Sequence, residues 1–78
     1  MKREQITFDA ILDLWPSLAD LARDISEAPE TVRMWKYREH IPPKHWGPIL
    51  RAATSRGIEI SFDDLEAARM ASDLIRAA

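Results

Sequence analysis

Proline and glycine cut this 78-residue chain into short segments, and within each segment the apolar residues recur at offsets of three and four. Prolines stand at 16, 29, 42, 43 and 48 and glycines at 47 and 57. Offsets of three and four gather side chains on one face of a helix, whereas a half-buried strand alternates. The one alternating run, Ile58-Glu59-Ile60, has three residues and reads as an extended connector. The expected fold class is therefore all-α, a compact domain of four to five helices. A chain this short has room for one core, so residues 1 to 78 form one domain.

The helix ends are marked locally. Thr7 is placed to cap a first helix carrying Phe8, Ile11, Leu12, Leu14 and Trp15, which Pro16 stops. Ser17 caps a second, with Asp20 at its third position and Leu18, Leu21, Ala22 and Ile25 on the inner face. Asp20, Arg23 and Asp24 then point outward. After the break at Ser26-Glu27-Ala28, Pro29 suits the first position of a third helix, where a missing amide proton costs nothing. Thr31, Val32, Trp35 and to a lesser degree Met34 give that helix its apolar side, Glu30, Arg33, Lys36 and Tyr37 its polar side, and it fades near Arg38.

Pro43 opens a fourth helix through Trp46, Ile49, Leu50 and Ala53 to Gly57, with Pro48 in its second turn expected to shorten or bend it. Ser61 and Asp64 form a capping box before a C-terminal helix at about 62–77, carrying Phe62, Leu65, Ala68, Met70 or Ala71, Leu74 and Ile75.

Several function classes are disfavoured. The chain has no cysteine, hence no disulfide framework and no Cys-based zinc site, and no run nears the ~20 apolar residues of a membrane span. A cytoplasmic protein without a membrane partner is expected. His40 and His45 lie five apart across two prolines without a third ligand, so no metal or other cofactor is expected. No nucleophile with its base and no Gly-rich phosphate loop is visible, and Asp63 and Asp64 fit the first turn of a helix; an enzyme is not expected. Trp15, Trp35 and Trp46 could stack on single-stranded bases, but each sits on the apolar period of its own segment and reads as core.

Net charge is -2, unpromising for a ligand of phosphates, yet the charges are segregated: residues 29 to 58 carry +4 and the segments on either side -3 each. That distribution is either a solvated surface or one electropositive face on an acidic protein.

Two short helices joined by about three residues, with a basic outer face on the second, match the major groove of B-DNA. Here that unit spans about 17–38. From Leu21 the chain reads Leu-Ala-Arg-Asp-Ile-Ser-Glu-Ala-Pro-Glu-Thr-Val-Arg-Met-Trp, which resembles the helix-turn-helix of Cro and CI-type, lambda-repressor-like phage proteins. The matching residues are Leu21, Ala22, Ser26, Ala28, Val32 and Trp35. Ser26 stands where that family often has glycine, and Glu27 where it often has an apolar residue. The stretch Trp35 to Trp46, with its basic residues and Ile41-Pro42, looks like the YdaS-like branch of Cro-type proteins.

The resemblance implies a sequence-specific regulator of transcription that binds double-stranded DNA, acts in the cytoplasm on the nucleoid, and belongs to a phage or related mobile element. Its base-reading positions fall on Pro29, Glu30, Thr31, Arg33 and Met34. Arg33 can bond guanine O6 and N7 bidentately, while Glu30 either accepts from cytosine N4 or answers the helix dipole. Phosphate contacts are expected from Ser17, Lys36, Tyr37, Arg38 and Lys44, with His40 and His45 as further candidates. Lys36 and Arg38 also fit a solvated helix end, and Tyr37 a half-buried core edge.

One short recognition helix reads few base pairs, so a homodimer on a palindrome is expected; Phe62, Leu65, Met70, Leu74 and Ile75 of the last helix are the candidate interface, although packing back on the first helix is the simpler account of them. The competing reading is a protein adaptor, antitoxin-like or bound to another transcription protein, whose acidic flanks meet a basic surface.

Overall fold

Three of the helices begin where a side chain satisfies one of the first free amides. In the computed structural model residues 6–77 are described, the last three as backbone only. Five α-helices follow one another: α1 (Phe8–Leu12), α2 (Leu18–Asp24), α3 (Pro29–Arg38), α4 (Trp46–Arg56) and α5 (Phe62–Ala77), with a 3-10 turn at Pro43–His45 before α4. No strand occurs among the described residues, and the all-α expectation holds.

The Ala10 amide donates to Thr7 Oγ1 and the Asp20 amide to Ser17 Oγ, each at 3.1 Å. Ser61 and Asp64 cap reciprocally, at 3.0 and 3.2 Å. Gly57 ends α4 at φ 76°, a left-handed conformation that glycine adopts without a Cβ penalty.

α3 lies against α2 and α1, while α4 packs on α2 and α5, and α5 returns to α1. Their inner faces share one core that includes Phe8, Ile11, Leu12, Leu21, Ala22, Val32, Ile41, Ile49, Leu65 and Ala68. All three tryptophans are buried in it. Two of their indole N–H groups have partners: Trp15 Nε1 donates to Asp24 Oδ2 at 3.0 Å, and Trp46 Nε1 to the Ile41 carbonyl at 2.8 Å. A buried indole needs such a partner, because an unmet donor carries its full desolvation cost.

Asp24 accepts from both Trp15 and Arg56, so one carboxylate ties the end of α1 and α2 to α4. The Arg56 guanidinium, followed by the indole, holds the Asp24 carboxyl below the usual carboxylate range against the opposing effect of burial. Asp24 stays at the surface as expected, but its side chain, 23% exposed, is engaged by these two partners.

Two boundaries differ from expectation. α1 ends at Leu12; the amides of Leu14 and Trp15 then bond carbonyls three residues back, so Leu14 is 47% exposed while Trp15 turns inward. Pro16 disfavours helical backbone at Trp15, so the helix could not have continued through that residue. Pro43 opens only the 3-10 turn, and α4 begins at Trp46. Pro48 is therefore its third residue, among the first amides that have no intrahelical acceptor, and the expected bend has no cause there.

The α2–α3 turn passes through Ser26 at φ 59°, and the Glu27 amide then bonds the Ala22 carbonyl at 2.8 Å. A left-handed non-glycine residue is strained by its Cβ. Ser26→Gly should therefore raise stability by about 0.5–1 kcal/mol, lifting Tm by roughly 2–8 °C. Thermal unfolding followed by far-UV circular dichroism measures this; a lower Tm would mean that the serine hydroxyl, not the backbone, supports the turn.

Candidate nucleic-acid interface

The surface of interest is the outer side of α3, and its inner side explains why it is held out. Val32 is fully buried and Trp35 is 5% exposed; their three-residue spacing seats one flank of the helix on α2. Ala22, 1% exposed, is the small residue of α2 in that core. Trp35 also carries the His45 ring at 4.7 Å, which joins α3 to the chain after it.

On the opposite flank Glu30, Arg33, Met34 and Tyr37 recur at offsets of three, four and seven and form one exposed stripe. The Glu30 and Arg33 side chains are 82% and 61% exposed and pair at 2.9 Å. Met34 is 41% and Tyr37 85% exposed. Pro29 begins the stripe and is exposed; Thr31 lies at its edge, half-buried. Tyr37 is not the half-buried core edge that one reading of the sequence allowed. Its angular position on the helix falls between Arg33 and Met34, away from Val32 and Trp35.

The proposed phosphate contacts divide. Arg38 and Lys44 are exposed, and no ion pair among the described residues engages either. Lys36 is different: its ammonium bonds Asp9 and, at 3.3 Å, Asp13, both from α1 and the residue after it. Asp9 first and Asp13 second raise its pKa above the ordinary lysine value, against a smaller desolvation effect. We therefore take Lys36 out of the phosphate-contacting set and make it a tie between α3 and α1.

Ser17 is also occupied. Its hydroxyl caps the Asp20 amide and donates to Asp20 Oδ2 at 3.1 Å. Arg23, at 2.7 Å, and then Ser17 lower the pKa of that carboxyl. An ionised carboxylate beside the α2 N-terminus works against a phosphate there.

The histidines are half-buried and stay apart in role. His40 lies edge-on to Phe8 at 5.8 Å, and its Nδ1 is buried without a hydrogen-bond partner among the described residues. His45 Nδ1 lies 3.7 Å from Glu27 Oε2. That contact gives Glu27 a role at the turn position where an apolar residue was the norm for the resemblance. No cluster of His, Cys, Asp or Glu among the described residues could hold a metal ion.

Of the six cations between 29 and 58, Arg33, Lys36 and Arg56 are matched by carboxylates, leaving Arg38, Lys44 and Arg51. The electropositive surface is thus narrower than the +4 of that segment suggests. Arg51, exposed on α4, escaped notice in the sequence because a lone arginine on a helix has no local signature. No family model matches the chain, and neither a curated protein nor a solved structure is significantly similar to it.

Proposed function

We propose that the protein is a sequence-specific regulator of transcription that lays α3 in the major groove of double-stranded DNA. The observation that carries this reading is the two-sidedness of α3: Val32, Trp35 and Lys36 fasten one flank, while Glu30, Arg33, Met34 and Tyr37 stand in solvent. Ten residues make a helix about 15 Å long, comparable to the ~12 Å width of the groove. Arg33 reads guanine, with Pro29, Glu30 and Thr31 beside it, and Arg38, Lys44 and the Tyr37 hydroxyl meet phosphates.

Exposed Phe62, Met70 and Leu74 on α5 offer apolar surface for a second copy, which would present two recognition helices to a palindrome. Among the described residues no helix is long and apolar enough to cross a membrane. Such a regulator would work in the cytoplasm, on the nucleoid, and the resemblance of its helix-turn-helix residues to phage repressors supports targets among phage or mobile-element genes.

Selection of duplexes from a random pool at low salt tests the proposal; a reproducible motif supports it, and the absence of any enriched motif rejects it. The same apolar α5 residues favour a second reading, a protein adaptor, for which a stoichiometric protein complex that excludes DNA would be the sign.

Salt dependence separates the two lysines. Lys44→Ala should lower the slope of log affinity against log salt by about one, weakening all sequences alike. Lys36→Ala should leave that slope unchanged and lower Tm instead, since it leaves Asp9 and Asp13 facing each other without their cation. A slope change in Lys36→Ala would return that residue to the interface.

A further inference from the structure

We propose that Met34 and Tyr37 read thymine, through the C5-methyl groups that line the major groove, so that the site contains thymine beside the guanine bound by Arg33. The inference rests on α3 entering the groove and goes beyond that reading by naming which base the apolar part of the helix selects. Among the described residues Tyr37, at 85%, is the most exposed of the large apolar and aromatic side chains, and Met34 keeps 41% of its surface in water. Both stand on the stripe that carries Glu30 and Arg33, not on the flank that packs against α2.

An exposed apolar pair in the middle of a polar recognition surface gains nothing in the free protein. In the major groove it meets a matching group, because the thymine methyl is the one apolar feature that the base edges display there. Cytosine and uracil lack it. Met34 and Tyr37 are three residues apart, about 4.5 Å along the helix axis, close to the ~3.4 Å rise of one base-pair step. They therefore reach the same or neighbouring base pairs. The flexible thioether suits an irregular apolar contact, and the flat phenol can cover a methyl while its hydroxyl turns to a phosphate.

Arg33 precedes Met34, so the guanine it binds and the thymine lie within a step or two of each other. The Glu30 carboxylate, on the preceding turn, pairs with the Arg33 guanidinium at 2.9 Å. The stripe thus divides into an ionic half that reads a G·C pair and an apolar half that reads methyl groups.

The test uses the full chain and the duplex selected from the random pool, with each thymine replaced in turn by deoxyuridine. The wild-type protein should lose about fourfold in affinity at each contacted thymine, the worth of one buried methyl group. Met34→Ala and Tyr37→Ala, both surface changes to a strong helix former, should each bind one pair of thymine and uracil duplexes equally while keeping the wild-type Tm. Lys44→Ala should weaken both duplexes and keep their ratio. A selected motif without thymine, or equal wild-type affinity for every thymine and uracil pair, overturns the inference and leaves the DNA-binding proposal standing. If no duplex is selected at low salt, that proposal fails as well and the stripe is assigned to a protein partner.

Discussion

Trp35→Ala is expected to cost about 3–5 kcal/mol, the range for removing a buried large aromatic side chain. At 78 residues the whole domain should be stable by roughly 4–12 kcal/mol, so the loss removes from about a quarter to all of that stability. The loss is large because Trp35 is 5% exposed and fills the space between α3, the core and the His45 ring. α3 has no side-chain N-cap, since Ala28 occupies that position; its attachment depends on Val32, Trp35 and the Lys36 tie. Urea denaturation followed by far-UV circular dichroism gives the number. A loss under about 1 kcal/mol would mean that the cavity collapses readily and that α3 is held mainly by Val32.

Arg33→Ala should leave the fold intact and remove the preference for one base pair, lowering affinity for the selected duplex by roughly 5- to 150-fold, or about 1–3 kcal/mol. The fold tolerates the change because the side chain is 61% exposed and its pairing with Glu30 is a surface contact worth at most about 0.5 kcal/mol. Arg33→Lys should not restore the preference, since an ammonium lacks the planar fork that bonds guanine O6 and N7 together. Titration of the selected duplex and its single-base variants provides the measurement. An equal loss on every sequence would make Arg33 a phosphate contact, and no loss would place it outside the interface.

The behaviour of Lys36 shows why charge in a sequence overstates charge on a surface. Read along the chain, Lys36 belongs with Arg33, Arg38 and Lys44 as a basic outer face. In the fold its angular position turns it toward α1, where Asp9 and Asp13, 27 and 23 residues earlier, take it up. Asp24 underwent a similar change of role, from an outward carboxylate of α2 to the common partner of Trp15 and Arg56. Ser72 had no sequence signal at all: buried in α5, it donates to the Glu39 carbonyl at 2.9 Å across 33 residues and clips α5 to the end of α3. None of these pairs has a spacing that any periodicity could mark.

What was legible from the residues alone was local. Thr7, Ser17, Ser61 with Asp64, Pro29 and Gly57 each act on backbone within four residues of themselves, so the steric and hydrogen-bonding rules that place them need no knowledge of the fold. The apolar spacing of Leu21, Ala22, Val32 and Trp35 likewise named the buried flanks of α2 and α3, because a helix has one inside and its period is set by the backbone. Contacts between elements were another matter. Whether Lys36 faces solvent or α1, whether Tyr37 is covered, and where Trp15 finds its acceptor depend on how helices from distant parts of the chain are set against one another. Those packing choices are made by the whole core at once, and only the folded arrangement shows them.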